Sequence, residues 1–200
     1  MNDTYLTIEE AAAATVTEKR SKFIAFAHPV TSAEEVKEIV QGYRKEYYDA
    51  RHVCWAYMLG AERAEFRSND DGEPSGTAGK PILGQINSNG LTDILIVVIR
   101  YFGGVKLGTP GLIAAYKAAA AEVLGEAKIV ERTVDETLLI HFPYLQLNAV
   151  MRIVKEVSPT IVSQNFDTEC EMLLRIRKGE AGKLKGLLLK TDMLKIRESV

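Results

Sequence analysis

A chain of 200 residues with 46% hydrophobic and 26% charged side chains has the make-up of a soluble globular protein, with room for one large domain or two small ones. Its formal net charge is −2. Residues 1–133 carry 15 Lys and Arg against 18 Asp and Glu, and residues 134–200 carry 10 against 9. Neither part is a basic module, so any contact with nucleic acid has to come from a local patch.

Thr15–Thr17 and Phe23–Ala27 read as a strand pair joined near the charged stretch Glu18–Lys22. Ser32 and Glu35 form a capping-box pattern ahead of Val36, Ile39, Val40, Tyr43 and Tyr47, which predicts an amphipathic helix over 33–47. His52–Leu59 alternates as a strand and pairs with 63–68 across a turn at Gly60. A polar, glycine-rich loop follows over 70–79, and residues 80–90 can form a short helix. Ile94–Ile99 is an unbroken apolar run, the mark of a strand covered on both faces. The glycine turn 103–108 then leads to a helix with Thr109 as N-cap and Pro110 at its first position, ending near Gly125.

Residues 128–132 add an edge strand, and after Thr133 the pattern restarts as β-α-β-β-α-β. Its strands are expected over 137–142, 160–163, 169–177 and 194–197. Its helices are expected after Pro143 and over 180–190. The fold class is therefore α+β, in two domains, 1–133 and 134–200.

Cys54 and Cys170 lie far apart in apolar strands, as buried thiols of a reducing compartment do. No cationic start precedes an apolar core at the N-terminus, and no run approaches the ~20 apolar residues that span a bilayer. A cytoplasmic protein without membrane partners is expected.

Asp70, Asp71 and Glu73 crowd three carboxylates into four positions, a conceivable magnesium site. Metal loops space their ligands alternately, however, and adjacent Asp residues commonly form turns and caps. His28, His52 and His141 share no metal-ligand spacing, and there is no nucleophile elbow or Walker loop. His52 and Cys54 stand two apart on one strand, which suits a packed pair better than a catalytic one. No catalytic residue, metal ligand or cofactor is assigned.

What remains is a glycine-rich face with two helix starts, which favour anions. Gly76, Thr77, Ala78, Gly79, Lys80, Arg100, Tyr101, Gly103, Gly104 and Lys106 are read as its ligand-facing set. An RNA phosphate is the first choice of anion, met by Arg100 and Lys106 with aromatics available for stacking. The competing reading gives the glycines to strand–helix packing, places Tyr101 and Phe102 in the core and pairs Arg100 with Asp70 or Asp71.

The motifs DDGEPSGTAGKPIL (70–83) and VVIRYFGGVKLGTPGLIAAY (97–116) resemble the signature of the Impact family, and KRSKFI (19–24) and RHVCWAY (51–57) resemble its earlier motifs. The likeness runs through the first two-thirds of the chain. It departs from the family pattern at Pro110, where a second glycine is usual. The resemblance implies a first domain like the second domain of ribosomal protein S5. It also implies a ferredoxin-like second domain similar to the last domain of elongation factor G. It further implies a non-enzymatic regulator linked to translation or stress, with RNA or a ribosome-associated protein as partner. Eukaryotic members dampen a starvation-responsive kinase pathway by competing for its ribosome-associated activator. An enzyme acting on a phosphorylated or peptide substrate in the glycine-rich cleft is the alternative.

Overall fold

The computed structural model describes residues 3–198. In chain order these form β1 (Thr4–Ile8), β2 (Ala12–Glu18), β3 (Ser21–Pro29), α1 (Ala33–Glu46), β4 (His52–Leu59) and β5 (Glu65–Asn69). Next come α2 (Gly79–Ser88), β6 (Ile94–Tyr101), α3 (Gly108–Glu126) and β7 (Ile129–Thr133). Last are β8 (Asp135–Pro143), α4 (Leu147–Val157), β9 (Thr160–Phe166), β10 (Glu169–Arg177), α5 (Lys178–Leu188) and β11 (Lys195–Glu198). The mixed α/β chain divides into two compact units, Tyr5–Arg132 and a second that begins at Thr133 and also takes in Asp3 and Thr4.

The first unit is built on a five-stranded antiparallel sheet in the order β2-β3-β6-β4-β5. Lys19 and Arg20 join β2 to β3 as a two-residue turn, both with positive φ, which matches the twist of the strands they connect. The central strand β6 is buried from Ile94 to Arg100. Alternation sends Ile94, Ile96 and Val98 to one face, with Phe23, Cys54, Ile82 and Tyr116 under α2 and α3. Leu95, Val97 and Ile99 go to the other, with Val53 and Tyr57 under Val36 and Val40 of α1. Each fully buried large apolar side chain contributes about 1.5–3 kcal/mol. The Glu35 amide donates to Ser32 Oγ as expected of a capping box, but the Glu35 carboxylate reaches past Ser32 to the Thr31 amide, at 2.7 Å.

Several boundaries differ from the sequence reading. β1 is an additional strand, paired with β7 apart from the main sheet. β5 begins two residues later than expected, at Glu65. α3 begins at Gly108, so Thr109 lies inside the first turn and does not cap it. Pro110 is tolerated there because first-turn amides have no acceptor within the helix.

The second unit sets a four-stranded antiparallel sheet, β11-β8-β10-β9, against α4 and α5. Cys170, Met172, Leu174 and Ile176 of β10 point inward with Leu138, Ile140 and Phe142 of β8. Asp3 belongs to this unit: its carboxylate accepts from Arg177 Nε and Nη2 at 2.6 and 2.7 Å and from the Gly179 amide at 3.1 Å. Among the described residues no helix is long and apolar enough to cross a membrane.

Candidate functional site

The loop between β5 and α2 carries the three crowded carboxylates, and each is anchored in a different direction. Asp70 turns back onto the start of α2, where its carboxylate accepts from the amides of Gly76 (2.8 Å), Ala78 (3.0 Å) and Gly79 (2.8 Å). Burial alone would push the Asp70 carboxyl up, but these amides, with Lys80 nearby, hold it below the usual range. Asp71 pairs with Arg44 at 2.6 Å and accepts from the Val53 amide at 2.7 Å. Glu73 is buried, accepting from Arg100 Nη1 at 2.6 Å and from the Tyr116 hydroxyl at 2.8 Å. Among the described residues no group of three or more His, Cys, Asp or Glu is placed to hold a metal ion.

His52 stands on the same sheet face as Cys54 but does not pair with it. Its Nδ1 lies 2.8 Å from the Asp71 carbonyl, which can only accept, so Nδ1 carries a proton and Nε2 faces Glu73 at 3.9 Å. The Cys54 thiol is fully buried and donates to the Asp70 carbonyl at 3.0 Å. Burial pushes that thiol far up, and likewise the Tyr116 phenol, so neither group is a ready nucleophile.

Beside this network opens a cleft of about 400 Å³, walled by Arg51, His52, Glu73 and Pro74 on one side and by Lys106–Thr109 and Leu112 on the other. Arg100 forms its floor, with the guanidinium carbon 5.7 Å from the ring centres of both Phe23 and Phe102. Arg100 is only 7% exposed, and its buried Nε has no hydrogen-bond partner. Neither Arg51 nor Lys106 forms a salt bridge among the described residues, and no side chain caps α3. Arg51, Arg100, Lys106 and Glu73 leave the cleft a net positive charge.

The expected ligand-facing set is thus split. The amides of Gly76, Ala78 and Gly79 are not free for a ligand, because Asp70 occupies them. Thr77 is buried with its hydroxyl donating to the Pro74 carbonyl at 2.6 Å, and Lys80 is exposed on α2 outside the cleft lining. Gly79 serves packing, since a Cβ there would sit 2.7 Å from the Asn69 nitrogen. Tyr101 lies against the α1 face and donates to Asp49 at 2.7 Å. Gly103 packs on the β2–β3 turn, where a Cβ would lie 2.1 Å from the Arg20 carbonyl, and Gly104 supplies a positive φ of 86°.

Arg100 and Lys106 alone of the set line the cleft, and Arg100 is a buried carboxylate partner instead of an emergent surface cation. Sequence reasoning missed Arg51 and His52. The available signal was antiparallel pairing: His52 opens β4 opposite Arg100 near the end of β6, which brings the flanking cations together.

The Impact N-terminal domain family matches residues 19–124. The IMPACT family member YigZ of Escherichia coli is 36% identical over 170 residues, covering 83% of this chain and 82% of that protein. The IMPACT family member YvyE of Bacillus subtilis is 36% identical over 156 residues, covering 78% and 72%. A crystal structure of a protein described as hypothetical superposes with a TM-score of 0.77 at 26% identity, over 100% of this chain and 99% of that one. Signature loop, glycine turn and both flanking motifs all fall within the matched region, and the chain belongs to the IMPACT family.

Proposed function

We propose that this protein is a translation-linked binding protein whose cleft takes an RNA phosphate. One observation carries this reading: the buried Arg100, with an unpartnered Nε, floors a cleft that Arg51 and Lys106 enter without acidic partners. Arginine meets phosphate through two parallel N–H groups, and an uncapped helix start adds positive potential. The translation link rests on family membership, as does a ribosomal protein S5 domain 2-like fold for the first unit. The strand order β11-β8-β10-β9 supports a ferredoxin-like second unit.

Filter binding to ribosomal RNA at low salt tests this with Arg51→Ala and Lys106→Ala, both changes being at exposed side chains. Each variant should stay folded by circular dichroism and bind about tenfold more weakly, because one charge-assisted contact is lost. A shallow salt slope is expected from so few cations. Folded variants that bind like wild type, or a wild type that does not bind, would overturn the assignment. Capture of a ribosome-associated protein in place of RNA would do so equally.

A second reading, an enzyme acting on a phosphorylated or peptide substrate, is favoured by His52, whose ring is oriented by the Asp71 carbonyl and lines the cleft. Turnover of a phosphate ester that disappears in His52→Asn would establish it, whereas undiminished turnover would remove His52 from it.

A further inference from the structure

On the opposite face of the same sheet lies a second cleft, between α1 and the β4–β5 edge, with a volume of about 420 Å³. Trp55 and Tyr57, two apart on β4, share this face and lie nearly parallel, 5.9 Å between ring centres at 13°. The Tyr57 hydroxyl donates to Glu65 at 3.3 Å, which fixes the ring. Opposite them on β5 stand Arg67, the cross-strand partner of Tyr57, and Asn69, the partner of Trp55. Lys37 of α1 closes the other side. Neither Lys37 nor Arg67 forms a salt bridge among the described residues, and Glu34 is the one carboxylate in the lining.

The half-buried Trp55 ring, backed by the buried Tyr57 ring that lies parallel to it, offers an apolar face, and two cations without salt bridges among the described residues offer charge to an anion at its rim. A nucleotide carries a flat apolar face and a negative charge within a few ångströms of each other. The volume lies within the range of small-ligand pockets and suits a single splayed base, not a duplex. We infer that the groove between α1 and the β4–β5 edge stacks an unpaired base of single-stranded RNA on Trp55, with Arg67 and Lys37 on its phosphates. Stacking of this kind tolerates any base and depends on salt. This second site is separate from the Arg51–Lys106 cleft and stands or falls without it.

Trp55 is the sole tryptophan, so its emission reports this groove directly. The full chain is titrated with an eight-residue oligoadenylate at low salt, following tryptophan fluorescence. The expected result is saturable quenching whose midpoint rises about tenfold in the folded variants Arg67→Ala and Lys37→Ala. Lys117→Ala, at an exposed residue of α3 that lines neither cleft, should leave the quenching midpoint within about twofold. Three results would overturn the inference. Oligoadenylate could bind, by filter retention, without quenching. It could quench with the same midpoint in wild type and Arg67→Ala. Polyglutamate could quench as strongly, which would give the groove to acidic peptides.

Discussion

The chain enters two of its helices through glycine-rich turns, and the two turns have opposite fates. The turn before α2 spends its amides on the protein's own Asp70, and its neighbours Asp71 and Glu73 are tied to Arg44 and Arg100. The turn before α3 holds no carboxylate; among the described residues its cation Lys106 is without a salt bridge and its helix start without a side-chain cap. A glycine-rich helix start is therefore an invitation to an anion only when the chain brings none of its own. Where it does, the same geometry becomes a fastener.

If that distinction is right, substitutions around the first turn should cost stability and substitutions at the second should not. The largest loss is expected for Arg100→Met, which strands the buried Glu73 carboxylate and should cost about 3–5 kcal/mol in urea unfolding. A cost below about 1 kcal/mol would mean that the pair does not fasten the loop.

Asp70→Asn should cost about 2–4 kcal/mol, because one oxygen and the charge are lost from three amide contacts. The pH dependence sharpens this. Asp70 is held below its ordinary value of 3.8, so its contribution is complete above that pH and is lost as pH falls through the lower folded value. The stability of Asp70→Asn should then fall less steeply in that window, and parallel acid-denaturation curves would count against the Asp70 contacts. Tyr116→Phe removes one donor from Glu73 but leaves Arg100 in place, for about 1–2 kcal/mol. Smallest of all, Lys106→Ala should lie within about 0.5 kcal/mol of wild type. A Lys106→Ala loss comparable to that of Asp70→Asn would erase the difference between the two turns.

Where local pattern decides structure, the sequence was legible. β4 and β10 run over His52–Leu59 and Glu169–Arg177 as read, because alternating apolar residues leave one register that buries them. The start of α3 was misread because Thr109-Pro110 carries a strong local cap signal, whereas the helix is entered earlier through Gly108, with φ of 70°. The fate of the carboxylates was legible only in part: Asp70 takes the capping role that adjacent Asp residues commonly have, but the partners of Glu73 could not be read. Glu73 meets Arg100 27 residues away and Tyr116 43 residues away, and such partners follow from sheet register, not from spacing. The positive cleft was half legible: Arg100 and Lys106 stood out beside the glycines, but Arg51 became relevant only once β4 lay antiparallel to β6.

The clamp on Asp3 has a consequence in time. Its partner Arg177 lies 174 residues further along the chain. At a synthesis rate of about 5–20 residues per second, roughly 10–35 seconds separate the two on the ribosome. During that interval Tyr5–Arg132 is synthesised and can fold, while Asp3 waits for Arg177. The second unit is thus closed by one residue translated before the first unit and another translated after it. An N-terminal tag or trimming at Asp3 should accordingly register in the refolding of the Thr133-onward unit and leave the first unit untouched.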